Sequence, residues 1–291
     1  MNKNLIWIAC ILGSLLVGAV VGLAGSTGGR EIGTMPLFLV FGLVAFAIQW
    51  VAFVPAYVFQ TEKYFDLFGS ITYVTLALAA LFLSSMEPGS IAIVVMVSIW
   101  AGRLGSFLFT RITRFGHDSR FRTIKPDFLQ FLMTWTMQGL WVFITFSAGL
   151  AAMTSDRQHP LDGIVVAGSL LWLAGFLIEV IADKQKTEFR MREGNEDKFI
   201  QHGLWAMSRH PNYFGEIMLW TGIAVVASPV LESWQYVTLI SPLFVFVLLT
   251  KVSGVRMLEH QANRKWGQAP GFIEDQEETP MLVLNPFLIG R

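Results

Sequence analysis

Eight runs of apolar residues set the plan of this 291-residue chain. The first covers residues 5–23, and seven more follow near 35–59, 68–84, 89–110, 127–153, 161–182, 212–228 and 234–253. A helix needs about 20 apolar residues to cross ~30 Å of hydrocarbon, and all the runs approach or exceed that except 68–84 and 212–228, which are marginal. Pro55, Pro229 and Pro242 can be absorbed as kinks or helix ends, because neighbouring helices satisfy the freed backbone groups. No stretch reads as a strand. The pattern predicts an all-α integral membrane protein, a bundle of about eight transmembrane helices. Residues 22–26, Gly-Leu-Ala-Gly-Ser, resemble a signal-peptide cleavage site, whereas the length of the first run suits a retained span. Both readings leave the next segment starting outside.

Composition agrees with this plan. The chain is 54% hydrophobic and only 14% charged, with a mean hydropathy of +0.55. That balance excludes an ordinary soluble domain. The formal net charge is zero, so no nucleic-acid partner is expected. The distribution of the 21 Lys and Arg residues is more informative. With eight spans, all but Arg30, Arg103 and Arg157 gather in the terminal segments and the loops 60–67, 111–126 and 183–211. Such an asymmetry makes that side, with both termini, cytoplasmic. The single cysteine, Cys10, lies inside the first run and reads as a packing residue. The five histidines lack metal-ligand spacing, so no metal is expected. No glycine-rich dinucleotide fingerprint follows a strand. No repeat or linker is visible. An N-terminal span and loop, 1–34, precede one membrane domain, 35–291, whose tail from Lys251 reads as interfacial structure on the cytoplasmic face.

The stretch 203–220, GLWAMSRHPNYFGEIMLW, crowds polar residues against the mouth of an apolar helix. Pro211 has no amide hydrogen, so it fits a first helical turn. From there Asn212, Glu216 and Trp220 recur every four residues and share one helical face. Arg209 and His210 stand just before a helix start, where free amide hydrogens carry positive partial charge. The group suits an anionic, amide-bearing ligand at a membrane surface. The alternative is a charged interfacial anchor with a capping asparagine. Against the anchor, Glu216 sits a full turn inside an apolar segment, where a carboxylate is costly.

Three further clusters carry possible chemistry. Glu179 and Asp183 lie one turn apart at the cytoplasmic end of the sixth run. Lys186 and Arg190 continue the face, with Lys198 nearby. Acids accept from ribose hydroxyls, and bases neutralise phosphate. The alternative is a helix end solubilised by i,i+4 ion pairs. Arg103, in the fourth run, either faces the bundle interior with an acidic partner or snorkels to the surface. Beyond it, Arg114 belongs to an arginine-rich loop that either closes on phosphates or anchors the cytoplasmic end. Lastly, Asp66 is flanked by Phe65, Leu67 and Phe68. There it either keeps its proton and serves as an acid, or caps the third helix.

Together these residues resemble a family. RHPNYFGE at 209–216 with Trp220 resembles the signature of the membrane steroid 5α-reductases and sterol reductases. EVIADKQKTEFR at 179–190, TEKYFDLFGS at 61–70 and WAGRLG at 100–105 resemble the bacterial branch of the 5α-reductases. The likeness runs over most of the chain after about residue 40, and the first span stands outside it. RHP alone is weak, since isoprenylcysteine carboxyl methyltransferases carry a similar turn. The resemblance implies a seven-helix core and an NADPH-dependent reduction of a carbon–carbon double bond conjugated to a carbonyl. It implies nicotinamide contacts at Asn212 and Glu216, with Tyr213 and Trp220 beside them and Arg209 and His210 in the same signature. It further implies cofactor contacts at Glu179, Asp183, Arg190, Lys198, Arg103 and Arg114. At the substrate end the family's glutamate and tyrosine fall on Asp66 and Trp100. An indole cannot give a phenolic proton, so Tyr64, Tyr57 and Glu62 are spare candidates for the donor.

The expected partners are a lipophilic enone from the bilayer and membrane lipids. The bacterial likeness implies a cytoplasmic (inner) membrane. Two other classes stay open at this point: a membrane methyltransferase using S-adenosylmethionine, and a non-catalytic lipid-binding protein.

Overall fold

The structure is a computed structural model describing residues 2–84, 86–115 and 119–288. It contains helices α1 (Lys3–Gly25), α2 (Leu37–Val58), α3 (Phe65–Leu83), α4 (Pro88–Phe115), α5 (Phe128–Thr154) and α6 (Gly163–Met191). They are followed by α7 (Leu204–Met207), α8 (Pro211–Ala227), α9 (Ser241–Val247), α10 (Val255–Trp266) and α11 (Pro270–Glu278). Among the described residues, eight helical segments are long and apolar enough to cross a membrane. The protein is an all-α, multi-pass integral membrane protein. Its spans coincide with the eight apolar runs to within a few residues, except the sixth, which runs on to Met191, and the last. That span extends over Ser233–Trp266 and is irregular. A 3₁₀ segment, Ser233–Ile240, leads into α9, and a π-helical turn, Leu248–Val252, follows it; Ser253 and Gly254 separate that turn from α10. Pro242 falls at the start of α9, where its missing amide hydrogen is harmless.

A two-residue antiparallel ladder, Glu31–Ile32 with Met35–Pro36, joins α1 to α2. No strand was expected there. Gly33, at φ 65°, supplies the left-handed turn that closes it.

The chain forms two compact units. The first comprises residues 1–166 with 223–241, and the second 167–222 with 242–291. In the first, α2 and α5 pack closely, as do α3 and α4. Phe38 meets Phe143 at 5.1 Å, and an aromatic cluster of Phe53, Phe65, Phe121, Phe131 and Trp135 fills the space between α2, α3 and α5. Polar side chains inside the bundle bridge helices, since lipid leaves buried amides no water. Gln49 donates to Thr72 Oγ1 at 2.8 Å, and Gln138 donates to the Phe65 carbonyl at 3.1 Å. The first span packs on α2 and α5 through Gly18, Gly22 and Gly25, which lie against Phe46, Leu39 and Phe38.

The second unit is organised by α6 and α8. A Cβ on Gly215 would lie 2.6 Å from the Gly175 carbonyl and 2.7 Å from the Glu179 amide, and one on Gly222 2.6 Å from the Trp172 amide. Glycines seven residues apart on both helices therefore let the two backbones touch. Behind them, Trp172 stacks on Phe176 at 4.9 Å.

Candidate functional site

Backbone contact at Gly175 and Gly215 decides what faces what in the second unit. It lays Glu179, one turn beyond Gly175, directly against the start of α8. Glu179 is 2% exposed and Asp183 8%. Asn212 donates from Nδ2 to Asp183 Oδ1 at 3.2 Å. Glu216 is half-buried one turn further along the α8 face, and Trp220 is fully buried beyond it. Pro211 is the first residue of α8, as its missing amide predicts. The two carboxylate-bearing faces read from sequence are thus one polar surface, formed by two apolar helices at their shared end. The amide of Asn212 fixes one carboxylate oxygen of Asp183, and carboxylates accept from N–H and O–H groups.

Basic groups lie on the continuation of α6. Lys186 sits over the Trp205 ring at 4.3 Å, and the Trp205 indole donates to the Ala182 carbonyl at 2.9 Å. Arg190 and Lys198 are exposed. Lys184 pairs with Glu188 at 3.8 Å in the i,i+4 register, so a solubilised helix end is present as well.

Arg209 and His210 are placed differently from the sequence expectation of ligand-facing cations. Arg209 Nη1 lies 2.6 Å from Glu259 Oε2, and His210 Nε2 lies 2.8 Å from Glu259 Oε1. The His210 ring is parallel to Tyr213 at 5.7 Å. Burial pulls the His210 pKa below its ordinary value, while the Glu259 carboxylate works in the opposite sense. Sequence reading missed Glu259. It stands on an amphipathic helix of mixed charge, and no spacing rule singles it out from its neighbours.

In the first unit, α3 begins at Phe65 with Tyr64 as its N-cap, so the capping reading of Asp66 is corrected. Asp66 lies in the first turn, where a negative charge meets free amide hydrogens. Glu62, 5% exposed, pairs with Lys125 and ties the α2–α3 loop to the segment before α5. Tyr64 stacks on Phe109 at 5.9 Å. Arg103 is half-buried with its guanidinium 5.3 Å from the Phe107 ring. The side chain of Arg114 lies outside the described residues.

Trp100 meets Tyr73 edge to face at 5.1 Å. Tyr73 is 5% exposed and two helical turns beyond Asp66 on α3, about 10.5 Å along the axis. This buried phenol was not among the sequence candidates, because only the pairing of α3 with α4 shows it opposite Trp100. A cleft of ≈ 90 Å³ opens beside the helix start, lined by Ala52, Ala56, Phe59, Tyr64, Phe68 and Trp135 among others.

Fold and site define a class: a multi-pass helical membrane protein with a buried acid–amide face. Residues 52–279 match the DUF1295 family, described as a protein of unknown function, and the chain belongs to that family. It is also similar to 3-oxo-5-alpha-steroid 4-dehydrogenase 1 of Bos taurus, 30% identical over 131 residues, 44% of this chain and 44% of that protein. The corresponding protein of Macaca fascicularis is 34% identical over 129 residues, 44% of this chain and 42% of that protein. The chain thus spans less than half the length of these curated relatives. No solved structure matches.

Proposed function

We propose that this protein is a membrane-embedded reductase that uses NADPH to saturate a carbon–carbon double bond conjugated to a carbonyl in a lipophilic molecule. The observation that carries this reading is the face of buried Glu179 and Asp183 with half-buried Asn212 and Glu216, closed by the Asn212–Asp183 hydrogen bond. Intramembrane carboxylates are costly and mark functional sites. The donor set suits a nicotinamide: its carboxamide has N–H groups for Glu216 to accept and a carbonyl for an amide to donate to. Lys186 and Arg190, further along α6, suit the phosphates. The relatives named as steroid dehydrogenases support the same chemistry.

NADPH supplies the hydride when bound. The residues of this chain do the rest. Asn212 and Glu216 orient the nicotinamide, Trp220 forms the apolar floor of their face, and the surrounding helices exclude water. As hydride reaches the β-carbon, negative charge grows on the substrate oxygen. An acid hydrogen-bonded to that oxygen stabilises the enolate, and a proton added at the α-carbon completes the saturated carbonyl compound. The resemblance implies that acid at Asp66, and Tyr73 on the same helix carries a phenol. The cleft beside Tyr64 admits part of an apolar molecule from the bilayer. The basic loops support a cytoplasmic cofactor side with both termini there, and the bacterial likeness supports an inner membrane.

Deuterated NADPH and a panel of enones, steroid-like and prenoid-like, test this. Deuterium is expected at the β-carbon of one product. Asp66→Asn or Tyr73→Phe, whichever removes the acid, is expected to lower kcat by about 10²-fold or more. Absence of label from every enone, under conditions where NADPH binds, contradicts the reaction assigned.

A further inference from the structure

The turn Ser208–Pro211 is held by residues from the last fifth of the chain. Glu259 on α10 engages Arg209 through one carboxylate oxygen, at 2.6 Å, and His210 through the other, at 2.8 Å. Gln276 on α11 donates to Glu259 Oε2 at 3.0 Å, so the carboxylate itself is fixed. The backbone is strapped too. The Arg209 amide donates to the Pro280 carbonyl at 2.9 Å, and the Asn285 amide to the Met207 carbonyl at 2.9 Å. Ser208 Oγ donates to the Leu282 carbonyl at 2.8 Å, and the same oxygen accepts from the His210 amide at 3.2 Å. Gly254 lies against the Tyr213 ring, which is itself parallel to His210. An arginine and a histidine next to a helix start would ordinarily recruit an anion from outside. Here a carboxylate from the same chain already takes them.

We infer that Glu259 is the positioning residue of this turn: it neutralises Arg209 and orients the His210 ring, so α10 and the tail, rather than a bound anion, set the start of α8. The face of Asn212 and Glu216 is aimed by that start. Arg209 and His210 are accordingly scaffold groups, and the phosphates of a cofactor find their cations elsewhere, on α6. The consequence for the cofactor rests on the function proposed above; the scaffold role does not.

Two measurements on the full-length protein in detergent separate these claims. The first is amide hydrogen exchange over 207–213 and 280–285. In Glu259→Gln, and equally in Arg209→Gln, these segments are expected to exchange at least about ten-fold faster than in the wild type. The double variant is expected to be no worse than either single, because both remove the same interaction. Exchange unchanged in Glu259→Gln overturns the inference, whether or not any cofactor binds. The second is NADPH affinity, where the two roles give opposite signs. If Arg209 and His210 contacted phosphate, removing the neighbouring negative charge would tighten binding. A positioning role instead gives binding weakened about ten-fold in Glu259→Gln. Tighter NADPH binding in that variant overturns the assignment. A wild-type protein that binds no NADPH but shows the exchange effect leaves Glu259 as the holder of the turn and removes the reductase reading alone.

Discussion

His159 shows how a single buried group in the loop between α5 and α6 ties stability to pH. Its Nε2 lies 2.8 Å from the Val226 carbonyl, its Nδ1 is buried with no hydrogen-bond partner, and its backbone carbonyl accepts from the Gly89 amide at 2.8 Å. Burial pulls its pKa below the ordinary 6.5, outweighing the pull of the Val226 carbonyl, Asp162 and Glu87 in the other direction. The sign follows from linkage. The folded pKa is below the unfolded one, so as pH falls through about 6.5 the unfolded chain takes a proton that the folded chain declines. His210, also lowered, adds in the same sense. The melting temperature in detergent is therefore expected to fall between about pH 7.5 and about pH 5.5, and His159→Gln is expected to flatten that slope. An identical slope in the variant contradicts the role given to His159. None of this was legible in the sequence, where His159 sits in a loop among polar residues. Asp66 and Glu216 were legible, because a carboxylate among apolar neighbours is visible in any window. Tyr73 was not, since its neighbour Trp100 is 27 positions away in the chain.

At the scale of elements, the spans were written in the apolar runs, and the start of α8 in Pro211. What the runs did not contain was the closeness of α6 to α8. Gly175, Gly215 and Gly222 look like ordinary glycines in apolar segments, and only the packed structure shows backbone meeting backbone there. Gly215→Leu forces its side chain into the Gly175 carbonyl and the Glu179 amide. It is expected to cost at least ~1–3 kcal/mol and to part Asn212 from Asp183. Gly163→Ala is the matched control, because an added Cβ there meets nothing within 4 Å. A thermal-shift assay of the two variants checks this; equal melting temperatures would remove the glycine contact as the device that builds the polar face. The last span was legible only in part. A run of apolar residues fixes that it crosses, but not that it proceeds through 3₁₀, α and π turns. Composition does not encode such local departures from the α-helix.

At the scale of the molecule, hydropathy and charge asymmetry described a multi-pass membrane protein, and the eight spans are present. The tail was read only as interfacial structure, yet it supplies Glu259, Gln276 and the strap over residues 207–209. Its ties join segments some 50 and more residues apart, which no local pattern reports. The protein therefore depends on its last helices to shape a site whose recognisable residues lie much earlier. The central claim is that this site takes NADPH. It is tested most directly by nicotinamide fluorescence of the purified protein in detergent, with NADH and S-adenosylmethionine as competitors. The expected result is saturable, salt-sensitive NADPH binding that S-adenosylmethionine does not displace. Glu216→Gln is expected to weaken it about 10- to 100-fold, as the loss of a hydrogen bond to a charged group should. Binding of S-adenosylmethionine with none of NADPH, or NADPH binding untouched in Glu216→Gln, would contradict it.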